Sequence, residues 1–369
     1  MAPDVRRPID RVLLLFALLL MAVGMVWVYS ASAFKSSQVS TAFLMKQLVG
    51  GTIGMVLMLA LSQVPIAALR ERPRILMVAY VAVVVLLVAV FFFPARNGAH
   101  RWLLFRGLQF QPSELLKPLS VLLVSWWMVR HSSAWERKED AIPKLVTLAG
   151  IMLLPLGLVL KEPDFGTTTL ILLVSMLLVW LGGAPKWIFV VTIPAVLAAG
   201  TAFVLSAEYR LNRVKSFLNP EADPLGTGHQ AIQSLIALGN GGLAGVGLGG
   251  SMQKLHYLPE AHTDFIFAVI GEEAGLIGTT VVLVLYLGIL WRGYRVARRV
   301  KDRFLRLSAT GLTFMLVIQA FINMSVVLSL APNKGIPLPF VSYGASSLIV
   351  SLITLGLLLA ISKEAAVET

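Results

Sequence analysis

The chain has 369 residues, 57% of them hydrophobic and 14% charged, with no cysteine and a formal net charge of +12. Its mean hydropathy is +0.82. Soluble globular domains carry roughly 45–50% apolar and about 25% charged residues, so the composition excludes one, and the lack of cysteine excludes a disulfide framework. The positive balance does not point to nucleic acid, since no basic, aromatic-interleaved soluble domain exists and membrane proteins gather Lys and Arg in cytoplasmic loops.

Apolar runs of about 20 residues recur along the chain, as a bilayer-crossing helix requires. They predict an all-α integral membrane protein, one polytopic domain over 1–369, with ten transmembrane helices near 11–33, 43–62, 73–94, 113–130, 143–160, 167–183, 186–206, 264–291, 305–330 and 338–361. A barrel would show short alternating segments instead. The first run follows Arg6, Arg7 and Arg11 and ends in "SASA", like a signal peptide. It is longer than a signal core, so a retained helix is expected. The segment "WRGYRVARRVKDRFLR" at 291–306 resists translocation and is read as a cytoplasmic loop. Both termini then lie on the cytoplasmic side of the cytoplasmic membrane.

The remaining polar residues gather at the opposite face. The fourth span opens with "FQPSELLK", where Glu114 and Lys117 share a helix face. A local ion pair is the plainer reading of these two. Arg101 and Arg106 lie just upstream, against the positive-inside trend. "KEPDFGTT" places Glu162 and Asp164 in a tight turn between spans five and six.

An outer loop at 207–263 carries Arg210, Arg213 and Lys215, a short amphipathic helix around Ile232–Leu238, and a glycine-rich run at 239–250 that is either mobile or closely packed. Loops of that length are usually functional or disordered, and its apolar residues argue against disorder.

Asp264 stands at the mouth of span eight, with Glu272 and Glu273 two turns inside. Asp264 could simply cap the helix with Thr263. Its place beside a large outer loop, facing cations, favours chemistry. Gln319 and Asn323, one turn apart, are expected to bond between helices. Lys334 sits in a proline-rich entry to the last span, outside.

One acid and several cations at one face suit transfer of a group away from a lipid-linked diphosphate. The cations stabilise the diphosphate and the acid accepts a proton from the attacking hydroxyl. Histidine spacing gives no zinc motif, and no G-x-S-x-G elbow occurs.

"FQPSELLK", "DFGTT", "NPEADPLGTGHQAIQS", "YLPEAHTDFIFAVIGEE" and "PLPFVSYGASS", in this order, resemble the SEDS family of cell-wall polymerases that contains FtsW, RodA and SpoVE, and the FtsW-like members more than the RodA-like ones. The resemblance implies a peptidoglycan glycosyltransferase that polymerises lipid II outside the cytoplasmic membrane and releases undecaprenyl diphosphate. It implies Asp264 as the catalytic acid and matches Glu114, Lys117 and Lys334 to the family's polar pair and cation; Arg101 and Arg210 join them at the diphosphate on charge and position at the outer face. It further implies a class B penicillin-binding protein as transpeptidase partner, together with other division or elongation proteins. A divalent cation, Mg²⁺ or Mn²⁺, is an open possibility. A lipid II flippase and a pure scaffold are the competing functions.

Overall fold

The computed structural model describes residues 9–365 apart from 33–36, 96–97, 106–107, 225, 227, 256–257 and 334. Arg106 and Lys334 therefore lie outside the described residues.

The helices are α1 Arg11–Ser32, α2 Ser37–Leu61, α3 Ala68–Glu71, α4 Pro73–Ala89, α5 Pro112–Arg130, α6 Lys138–Lys161, α7 Phe165–Leu181, α8 Trp187–Leu205, α9 Glu208–Leu218, α10 His229–Gly241, α11 Ile266–Arg299, α12 Arg303–Val327 and α13 Ala345–Ala365. Eight helices among the described residues are long and apolar enough to cross a membrane, and α7 is a shorter apolar one. Eight of the ten expected spans fall on these helices, and the other two, 113–130 and 167–183, fall on α5 and the shorter α7. Helices satisfy their own backbone groups, which is why this composition folds this way in lipid.

Burial sorts the helices into layers. α5, α12 and α13 are buried along most of their length, and α8 buries only Ile188. α5 packs against α4, α7 and α12, and α13 packs along α2 and α12. The polar residues that α5 carries, Glu114, Lys117 and Ser120, are thus inside protein rather than in lipid.

Three features depart from the sequence expectation. A two-stranded antiparallel hairpin, β1 Leu103–Phe105 with β2 Leu108–Phe110, precedes α5. The 207–263 segment holds a second helix, α9, beside the expected one, which is α10. The third is α11, which runs on to Arg299, so most of the basic segment read as a loop is helical and only 300–302 connect α11 to α12.

α11 is also broken within. Gly275 has φ +64° and ψ −159°, a conformation that only glycine adopts without strain. The glycine-rich run fills the break. Val246 N–H donates to the Glu272 carbonyl at 3.0 Å and Gly247 N–H to the Glu273 carbonyl at 3.0 Å. Leu276 and Ile277 N–H donate to the carbonyls of Gly242 and Leu243 at 2.9 and 3.2 Å. Of the two readings of this run, close packing is the one realised.

The acids beside the break hold the same loop. Glu272 accepts from Ser251 Oγ, and from Met252 N–H at 3.2 Å and Gln253 N–H at 3.3 Å. Glu273 accepts from Ser30 Oγ at 2.7 Å and pairs with Lys254 Nζ at 2.6 Å, both side chains being buried. A buried carboxylate is tolerable only when paired and hydrogen-bonded, and both of these are.

Candidate functional site

Four of the sequence motifs converge at one end of the bundle through hydrogen bonds. Gln111 ends the hairpin and starts α5; its Nε2 donates to Asp164 Oδ2 at 3.0 Å. Ser346 Oγ, in the first turn of α13, donates to the Gln109 carbonyl at 2.7 Å. Ser342 Oγ donates to the Thr263 carbonyl at 2.6 Å, and Tyr343 N–H to the His262 carbonyl at 3.0 Å. The hairpin, the 162–164 turn, the approach to α11 and the entry to α13 thereby form one polar end.

Beneath it runs a ladder on α12. Gln319 Oε1 accepts from Lys117 Nζ at 2.9 Å, while its Nε2 donates to the Pro337 carbonyl at 2.8 Å. One turn on, Asn323 Nδ2 donates to the carbonyls of Ile336 and Asp264, each at 2.8 Å. Lys117 also pairs with Glu114 at 2.7 Å, both side chains being 4% exposed. The pair read as a local ion bridge is such a bridge, and Gln319 links it to the Pro337 carbonyl at the entry to α13.

Asp264 is the exception in this network. α11 starts at Ile266 with no side-chain cap, so Asp264 does not serve as its N-cap. Among the described residues nothing donates a hydrogen bond to its carboxylate. The side chain lies against Gly335, where a Cβ would come within 2.8 Å of Oδ2, so residue 335 leaves the carboxylate its room. Burial pushes the Asp264 carboxyl up to about 7; Glu260 and Asp164 add to the rise and Arg101 opposes it.

Arg101 is held by its backbone contacts. Its Nε and Nη2 donate to the carbonyls of Glu162 and Pro163, each at 2.7 Å. This fixes its charge beside the 162–164 turn and within electrostatic reach of Asp264. Asp164 caps α7, accepting from Thr167 N–H at 3.0 Å. Glu162 is fully buried, with neither carboxylate oxygen hydrogen-bonded. Burial, assisted by the charge of Asp164 and opposed by Arg101, raises its carboxyl to about 8.

Arg210 reaches the edge of this end, its guanidinium 5.4 Å from the ring centre of Phe165, the neighbour of Asp164. Its guanidinium donates to the Phe203 carbonyl at 2.8 Å and stacks 3.6 Å from the Phe203 ring centre, closing the end of α8. Arg213 lines a cavity of about 220 Å³ with Gln230, Asn333 and Phe265, the neighbour of Asp264. Asn333 Nδ2 donates to Gln230 Oε1, tying α10 to the α13 entry.

Of the residues the sequence named, Arg101 lies within electrostatic reach of Asp264, while Glu114 and Lys117 form their own buried pair held to α12. Gln111, Ser342 and Ser346 went unread, since their bonds span 53 to 237 residues and short polar residues at helix starts carry no signal of a distant partner. Among the described residues no set of three or more His, Asp or Glu could hold a metal ion.

Residues 10–367 match the family described as cell cycle protein, FtsW, RodA and SpoVE. The protein of Methylococcus capsulatus named probable peptidoglycan glycosyltransferase FtsW is 40% identical over 363 residues, covering 97% of this chain and 90% of that one. Stage V sporulation protein E of Bacillus subtilis is 38% identical, covering 96% and 97%. Among solved structures, a chain from a peptidoglycan synthase complex coordinating polymerization and crosslinking superposes with a TM-score of 0.78 at 28% identity, covering 97% of this chain and 98% of that one. The rod shape determining protein RodA of Thermus thermophilus superposes at 0.68 with 27% identity, covering 98% of each.

Proposed function

Since the chain belongs to the FtsW, RodA and SpoVE family, we propose that it is a peptidoglycan glycosyltransferase, FtsW-like in kind, polymerising lipid II into β-1,4 glycan strands at the outer face of the cytoplasmic membrane. The proposed topology is ten crossings with both termini cytoplasmic, in one domain spanning 1–369. The 207–263 segment lies outside, with α9 and α10 at the interface.

Asp264 acts as general base. It takes the proton of the acceptor 4-hydroxyl, whose oxygen attacks the anomeric carbon of the sugar linked to diphosphate. The bond to the diphosphate breaks with inversion and undecaprenyl diphosphate leaves. A carboxyl near pH 7 in its titration suits proton transfer at neutral pH. Arg101 and Lys334 offset charge on the leaving diphosphate, and Arg210 holds the outer end of α8 over the same face. Lys117, oriented by Glu114, contributes from beneath through Gln319.

The observation that carries this reading is the Asp264 carboxylate. It alone among the acids singled out in α11 and its approach has no donor among the described residues, while Glu272 and Glu273 have all of theirs. The relatives' names favour synthesis over flipping. The peptidoglycan synthase complex among the structural neighbours supports a class B penicillin-binding protein as partner. The test is incubation of the purified protein, with that partner, on lipid II in detergent, followed by gel analysis of glycan. Strands are expected from wild type and none from Asp264→Asn. Detergent has no second leaflet, so strand synthesis there rejects a pure flippase, and equal synthesis by Asp264→Asn rejects the assignment of the base.

A further inference from the structure

The basic end of α11 lies beyond the Gly275 break from Asp264, at the end of an unbroken stretch 276–299 about 36 Å long. A cavity of about 310 Å³ opens there between α1, α11 and α13, lined by Asp10, Arg11, Arg292, Arg295, Arg299 and Ser362. Its single carboxylate is already used. Asp10 takes Arg292 through Nε at 3.1 Å and Nη2 at 2.6 Å. Asp10 Oδ1 also caps α1 from Leu13 N–H at 2.9 Å, and its own N–H donates to Ser362 Oγ at 3.1 Å.

Asp10 and Arg292 together are neutral, which leaves Arg11, Arg295 and Arg299 facing one cavity. No salt bridge to any of these three exists among the described residues. Loop-charge bias alone scatters arginines over a surface; here four arginines line a single hollow. Arg292, Arg295 and Arg299 recur at three- and four-residue steps and so share one face of α11. Arg295 stacks 5.0 Å from the Trp291 ring centre, which holds it in place.

We propose that this cavity binds the phosphate of an acidic phospholipid headgroup. Arginine matches a phosphate with paired N–H donors, and basic pockets between spanning helices take anionic headgroups. The depth argues for lipid over a soluble phosphate. Trp291 and Tyr294, on the same turns, are 51% and 54% exposed, and exposed Trp and Tyr of a spanning helix mark the headgroup level.

The experiment is native mass spectrometry of the purified full chain with phosphatidylglycerol or phosphatidylcholine added, for wild type, Arg295→Gln/Arg299→Gln, and Arg72→Gln/Arg74→Gln. The last pair is exposed at the same end, next to Arg70, which bonds Asp302, but lies outside the cavity. Wild type and the control pair are expected to retain phosphatidylglycerol over phosphatidylcholine. The cavity pair should lose at least about tenfold of that retention. If the cavity pair does not stay monodisperse, the single Arg299→Gln is read in its place, with a smaller loss of the same sign. Equal retention by cavity variant and wild type overturns the site. Displacement of the lipid by millimolar inorganic phosphate overturns the lipid as its source. Equal loss in the control pair overturns the cavity in favour of diffuse surface charge.

Discussion

Two acid-bearing regions meet at the start of α11, and they differ in one respect. Glu272 and Glu273 are saturated: serine hydroxyls, backbone N–H groups and the Lys254 ammonium take up their oxygens. Eight residues earlier, Asp264 has no donor among the described residues and its carboxyl is pushed up to about 7. Burial of a carboxylate costs several kcal/mol unless it is repaid by partners. At Glu272 and Glu273 the repayment is architecture, because their partners are the loop that plugs the helix break. Asp264 is partly exposed and no described residue ties its carboxylate into the scaffold, which under the proposed function leaves it free to take a proton from a substrate.

The contrast predicts opposite failures. Asp264→Asn should lower lipid II polymerisation by about 10²–10⁴-fold and leave the thermal midpoint within a few degrees of wild type. Lys254→Met should do the reverse. Removing one partner of a buried ion pair costs about 3–5 kcal/mol, so the detergent-solubilised protein should melt markedly lower while activity per folded molecule survives. The double variant Lys254→Met/Glu273→Leu should recover most of the loss, because no uncompensated charge remains. If Lys254→Met silenced catalysis without lowering the melting midpoint, the division between the two regions would fail.

Residue types made the Asp264 region readable, and nothing local revealed the loop-in-helix joint. Glu114 and Lys117 three apart in "PSELLK" disclose a shared face, and α5 starts at Pro112, one residue from the expected start. Gln319 and Asn323 were expected to bond between helices; Gln319 does, to Lys117 of α5, while Asn323 bonds the non-helical approaches to α11 and α13. In "GEEAGLIG", by contrast, Gly275 reads as an ordinary interruption of a spanning helix, since its φ is imposed by the run 242–247 docking from thirty residues upstream. The extent of α11 was misjudged for a related reason. Arginines break a hydropathy run, but on a helix end they reach the headgroup layer and need no loop. The hairpin at 103–110 hides in an apolar stretch too short for a periodicity to emerge.

Acidity sharpens the comparison at the reacting end. With a carboxyl near 7, Asp264 is mostly protonated at pH 6 and mostly ionised at pH 8, so polymerisation should rise about tenfold over that interval. Arg101 opposes the upward shift. Arg101→Gln should therefore move the midpoint of the pH–rate profile to higher pH, with a smaller loss at pH 8.5 than at pH 6.5. A profile that does not move separates Arg101 from Asp264.

Glu162 gives the smallest effect and the cleanest sign. Its carboxyl is raised from 4.5 to about 8, by burial first. Between those values the folded protein holds a proton that the unfolded chain has released. Stability contributed by the neutral form is full below about 4.5 and is lost progressively as pH rises towards about 8. Glu162→Gln keeps the shape and removes the titration. The variant should melt close to wild type at pH 5 and above it at pH 8. In the Asp264→Asn background the same substitution should change the melting curve and leave nothing further to lose in polymerisation. A Glu162→Gln variant whose melting midpoint still falls between pH 5 and pH 8 as steeply as wild type would place that dependence on another group.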